Sequence, residues 1–139
     1  MRRLVILAAF ALSACSTSGE PTQAEMKAKW EEGNVVPANY KADMLTFLRS
    51  YLNDPVNIRG AAISPPARRT ALGDPGERYI ACVRFNARNS SGQYAGMKTG
   101  AAVYFGGKLE RFLDMPRDAR VLCTDAAFEP FPELEGLKR

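Results

Sequence analysis

Arg78-Tyr79-Ile80-Ala81-Cys82-Val83-Arg84-Phe85-Asn86-Ala87-Arg88 is the stretch that decides the fold. Its period is two. Tyr79, Ala81, Val83, Phe85 and Ala87 fall on one face of an extended strand. Ile80, Cys82, Arg84, Asn86 and Arg88 fall on the other. The first face is apolar throughout, and the second begins apolar and ends polar. Such a strand needs neighbours on its edges and cover on its apolar face.

Toward the C-terminus, Asn89-Ser90-Ser91-Gly92 reads as a turn, with residues 93–98 as the returning strand. Residues 101–105 and 108–113 flank Gly106-Gly107, a hairpin signal because glycine reaches positive φ without strain. Met115-Pro116-Arg117-Asp118 reads as a loop and Val121-Leu122-Cys123 as a last short strand. The tail sets Phe128, Phe131 and Leu134 around Pro130 and Pro132, apolar enough to dock on the domain.

Toward the N-terminus, residues 64–77 carry Pro65, Pro66, Gly73, Pro75 and Gly76 and read as a long loop. Val56, Ile58 and Ala62 suggest a short strand. Over residues 38–52 the period changes. Tyr40, Met44, Phe47, Leu48, Tyr51 and Leu52 form one helical stripe, and Asn53-Asp54-Pro55 stops it. Thr22 and Glu25 have capping-box spacing and predict a further helix over 23–32, ended by Gly33-Asn34. Trp30 lies in that segment. The expected fold is therefore α+β: an N-terminal helix or helices packed on a small antiparallel β-meander.

The first residues follow another logic. Arg2 and Arg3 precede an apolar run from Leu4 to Leu12, then the small residues Ser13 and Ala14, then Cys15. This is the layout of a secretory leader, and the run is about half the roughly 20 residues a spanning helix needs. Leu12-Ser13-Ala14-Cys15 resembles the lipobox of bacterial lipoproteins at all four positions. The resemblance implies a signal peptide over 1–14 and a lipidated Cys15. A flexible tether over 15–24 and one periplasmic domain over 25–139 would follow. Two or three acyl chains on Cys15 would hold the chain at a bilayer, where one chain alone binds marginally. Ser16 stands where enteric lipoproteins retained in the inner membrane carry Asp. The resemblance therefore implies a cell-envelope location, anchored in the outer membrane and facing the periplasm.

With Cys15 assigned to lipid, Cys82 and Cys123 remain, and an oxidising compartment favours a disulfide between them. Removing Arg2 and Arg3 from the 19 basic residues leaves 17 against 15 acidic, a net of +2. That small excess gives no ground for a nucleic-acid partner. The chain contains no histidine, so the commonest general base and transition-metal ligand are missing. No metal site and no cofactor are expected. Glu31, Glu32, Asp114, Asp118 and Asp125 show no catalytic spacing. Ser64, Ser90 and Ser91 have no activating base nearby in sequence. Gly92, Gly96, Gly100, Gly106 and Gly107 fit turns better than a phosphate loop.

Arg84 and Arg88 share a strand face with Asn86, and Tyr94 follows across the turn. They make a candidate binding patch for an acidic partner or a wall polymer. The expected function is that of a non-enzymatic, membrane-anchored envelope lipoprotein that binds a protein or cell-wall partner. An alternative comes from a second resemblance. Tyr79-Ile80-Ala81-Cys82 and Ser91-Gly92-Gln93-Tyr94 are similar to segments of the periplasmic lysozyme inhibitors, which implies an all-β barrel and inhibition of a hydrolase. One residue, where that family has two, separates Gly92 from Tyr94.

Overall fold

The computed structural model describes residues 19–139. The leader, Cys15 and the first tether residues lie outside them. Helix α1 (Gln23–Glu32) starts where the capping box places it. The Thr22 hydroxyl accepts the Glu25 N–H at 3.2 Å, and the Glu25 carboxylate accepts the Thr22 N–H at 2.6 Å. Gln23 and Ala24, counted with the tether, belong to this helix. Helix α2 (Tyr40–Tyr51) buries Met44 and Leu48 from its predicted stripe.

Five strands follow: β1 (Asp54–Ile63), β2 (Ala67–Arg69), β3 (Arg78–Arg88), β4 (Tyr94–Phe105) and β5 (Lys108–Leu113). Helix α3 (Pro116–Cys123), strand β6 (Glu129–Pro130) and helix α4 (Pro132–Glu135) complete the chain. The antiparallel sheet has the order β5-β4-β3-β1-β6. The fold is α+β, as expected, on an open sheet rather than the barrel that the inhibitor resemblance implies.

Four local expectations are corrected. The segment 64–77 is not all loop, because β2 forms within it and pairs with Arg78, Tyr79 and Ile80. β1 and β2 lie end to end on one edge of β3, with Ile63 opposite Val83 and Ala67 opposite Ile80. Pro65 and Pro66, which lack an N–H for the ladder, fall in the gap. The short strand around Val56 is in fact ten residues long, with φ of 56° at Asn57 and 62° at Gly60 in the span of its register shifts. The segments expected as two strands, 93–98 and 101–105, are one continuous strand, β4, which begins at Tyr94 and has Gly100 inside it. Val121-Leu122-Cys123 is the end of a helix, not a strand. Pro116 suits the first helical turn, where its missing N–H costs nothing. Ala119, Leu122 and Cys123 then recur at i, i+3 and i+4 and are buried.

Strand β3 has two apolar faces, as its alternation requires. Ala81, Val83 and Phe85 join Met44, Leu48, Phe131 and Leu134 in the main core. Ile80 and Cys82 join Ala101, Val103, Leu122 and Cys123 in a second cluster. Cys82 and Cys123 stand at disulfide distance, with Cα atoms 5.8 Å apart. The link runs from the central strand to α3.

Helix and strand advance differently along the chain. The 12 residues of α2 rise about 18 Å at 1.5 Å each. The 12 residues of β4 span about 40 Å at 3.3 Å each. The helix therefore cannot cover the strands from end to end. Residues 80–83 of β3 and 100–104 of β4 are buried without a break. Beyond them, at residues 86–88 and 94–99, burial ceases to be complete.

Candidate functional site

A concave pocket of about 300 Å³ opens where α2 stops short of the sheet's far end. Phe85 and Ala87 of β3, Phe112 of β5 and Tyr51 of α2 supply its apolar surface. Phe47, Tyr51 and Phe112 form one aromatic cluster, with centroids 4.9–5.4 Å apart. Gly100 shapes the floor. A Cβ there would overlap the Phe112 ring, so the glycine lets Phe112 lie against the strand.

Polar groups converge on the same opening. Arg88 lines it and pairs with Asp54 at 2.7 Å. The Arg88 Nε is buried and has no acceptor among the described residues. Lys98 also lines the pocket. It is the register partner of Phe85, which places both side chains on one sheet face. Lys98 makes no ion pair among the described residues. The Tyr51 hydroxyl donates to Asp114 at the rim. That hydrogen bond, helped by burial and the Asp114 charge, holds the Tyr51 pKa above its ordinary value. The carboxylates Asp54 and Asp114 thus offset the cations Arg88 and Lys98 one for one, because the neutral Tyr51 hydroxyl leaves the Asp114 charge in place.

The three residues of the sequence-derived patch are only partly brought together. Arg88 and Tyr94 are register partners and share a shallow depression with Arg59 and Glu135. Tyr94 donates to the Asn57 carbonyl at 2.7 Å, and the Arg59 guanidinium lies 3.9 Å from its ring centroid. Arg84 lies elsewhere, 4.5 Å from the Phe128 ring centroid on the α3 side. The strict alternation expected for Arg84 and Arg88 fails because the register shifts between Asn86 and Arg88.

A second polar feature escaped the sequence reading. Arg78 is 4 % exposed. Its guanidinium lies 3.2 Å from the Trp30 ring centroid and 3.8 Å from that of Phe105. Burial pushes its pKa down, although a guanidinium stays charged. Trp30 Nε1 and Asn34 Nδ2 each donate to the Glu77 carbonyl at 2.8 Å. Arg68 pairs with Glu31 at 2.7 Å and with Glu77 at 3.1 Å. This clasp holds α1, a helix with no buried residue of its own.

Of the serines and carboxylates weighed as catalytic, Ser64, Ser91, Glu31, Asp114 and Asp125 have structural partners. The Ser64 hydroxyl accepts the Cys82 N–H at 2.9 Å, and the Ser64 N–H donates to the Cys82 carbonyl. Ser91 sits in a turn closed by the Asn89 side chain. Among the described residues no three His, Cys, Asp or Glu side chains group as a metal site would require.

No known family model, no curated protein and no solved structure matches the chain. Signals for the pocket were present but weak. A glycine inside an apolar run marks close approach of a neighbour, and Gly100 does this where a turn was expected. Lys98 two residues before it reads as a solvated strand residue until its pairing with Phe85 is known.

Proposed function

We propose that this chain is a membrane-anchored envelope lipoprotein, a binding protein rather than an enzyme. Its domain would take an envelope partner, protein or cell-wall polymer, at the far end of the sheet. The lipobox Leu12-Ser13-Ala14-Cys15 behind Arg2-Arg3 supports the anchor and the outer-membrane, periplasm-facing location. The binding role is carried by one observation. The pocket between Phe85, Phe112 and Tyr51 is mostly apolar, with a few polar groups turned to the same opening, which is the usual build of a ligand site.

The anchor is tested by growing cells with a clickable palmitate analogue. The wild-type chain takes the label and fractionates with outer membrane. Cys15→Ser takes none and leaves the membrane. Equal labelling of the two chains contradicts the anchor. The binding role is tested by crosslinking intact envelopes and purifying the chain, which should carry a defined partner. Recovery of the chain alone contradicts it.

A further inference from the structure

The end of the sheet opposite the pocket carries a surface of its own. Phe105 ends β4 there, and the Gly106-Gly107 hairpin follows it. Four apolar side chains stand open at this end: Met26 on α1, Val35 and Val36 after it, and Phe105. Met26, Trp30 and Phe105 line one groove. The Val35 side chain faces Gly107 of the hairpin, and the Phe105 ring lies against Gly33, where a Cβ would overlap it. Single exposed apolar side chains are ordinary, but a contiguous set marks a contact surface. The rings are also fixed in place. The buried Arg78 guanidinium lies 3.2 Å from the Trp30 centroid and 3.8 Å from that of Phe105, so the space beneath them is taken.

The position of this surface along the chain points to what covers it. Cys15, read above as the lipid-bearing residue, precedes Gln23 at the start of α1 by 23 − 15 = 8 residues. Eight residues reach at most about 28 Å. A short flexible linker holds its ends together at an effective concentration on the order of millimolar. A modest apolar patch therefore suffices once the anchor is in a bilayer. Trp30 belongs to a residue type enriched at membrane–water boundaries. Charge adds no attraction to anionic lipid, because α1 carries Lys27 and Lys29 against Glu25, Glu31 and Glu32. Among the described residues no helix is long and apolar enough to cross a membrane, so the contact is with the surface.

We propose that Met26, Trp30, Val35, Val36 and Phe105 form a bilayer-contact surface that rests on phospholipid by apolar contact. Strands β3 and β4 then stand away from the membrane. Ala95, at the pocket rim, lies ten residues before Phe105 on β4, about 33 Å along the strand. The pocket thus opens away from the lipid, toward the envelope partner. The inference rests on the lipid anchor proposed above and adds the face by which the domain meets the membrane.

Trp30 is the chain's only tryptophan, so its fluorescence reads the contact. The lipidated full chain is placed in phosphatidylcholine vesicles, with or without bromine on the acyl chains near the headgroup, and flotation confirms anchorage. Brominated lipid should quench Trp30, and equally so when phosphatidylglycerol is mixed in. Val35→Asp combined with Val36→Asp should remove the quenching while the chain still floats, and Met26→Gln should reduce it. All three side chains are exposed, and an unchanged melting temperature shows that the fold is kept. In Trp30→Phe combined with Ala95→Trp, the indole at the pocket rim should escape quenching. A chain that floats with Trp30 unquenched overturns the contact surface and leaves the anchor standing. A chain that does not float overturns the anchor and this inference with it. Equal quenching at positions 30 and 95 overturns the orientation. Quenching that requires phosphatidylglycerol, or that survives Val35→Asp with Val36→Asp, overturns the apolar contact.

Discussion

The two halves of one pair of strands differ more than any two elements of this molecule. In the near half, residues 80–83 of β3 and 100–104 of β4 are all buried, whichever face they occupy. Helices α2 and α4 share one core with this region, and α3 closes the other side with Cys123 beside Cys82. In the far half the same strands carry Arg84, Arg88 and Lys98, and the aromatic pocket opens. The difference arises from lengths rather than from a change of strand pattern. A 12-residue helix covers less than half of a 12-residue strand. The covered half holds the fold together, and the uncovered half is left open, as the proposed binding role requires.

Predictions that break this contrast should act on one half only. Phe131→Ala, in the covered core where Phe131 is 0 % exposed, should cost about 3–5 kcal/mol. Chemical denaturation measures this, and a loss below about 1 kcal/mol would mean that the core is not closed there. Cys123→Ser should cost at most about 4 kcal/mol, the chain-entropy value for the 41-residue separation from Cys82. An unchanged melting temperature, with free thiols titrated in the wild type, would remove the link from the account. Trp30→Ala should cost about 2 kcal/mol, the scale of a desolvated cation–π contact, and speed amide exchange in α1 selectively. Uniform exchange across the molecule would contradict the clasp around Arg78. Lys98→Gln, in the open half, should change unfolding free energy by no more than about 0.5 kcal/mol, as surface substitutions do. A larger loss would make Lys98 part of the fold rather than of the pocket.

Much of the covered half was legible in the sequence. The alternation placed both faces of β3 correctly as far as Ala87 and failed at Arg88, past the register shift; the helical stripe found α2, and the Thr22–Glu25 spacing found α1. The Gly106-Gly107 hairpin lies between β4 and β5, with φ of 57° and 75°. What failed was short or depended on partners. Val121-Leu122-Cys123 is too brief to show its period alone, and its helix becomes visible only with Pro116 and Ala119 included. Strand β2 is three residues long and owes its existence to the edge of β3. Gly100 interrupts an apolar pattern but not a strand, because Phe112 from β5 fills the space above it. The pocket was illegible for the same reason. Tyr51, Phe85, Lys98 and Phe112 lie on four different elements, and only strand register and the reach of α2 bring them together.

Site-specific photo-crosslinking in the native envelope tests the division of labour most directly. A photoreactive residue would replace Ala95, at the pocket rim. In a second chain it would replace Val121, which is 69 % exposed on α3. Both positions are exposed, so neither change disturbs the core. A discrete adduct is expected from position 95 and none from position 121. Equal adducts from both positions, or an adduct from position 121 alone, would contradict it.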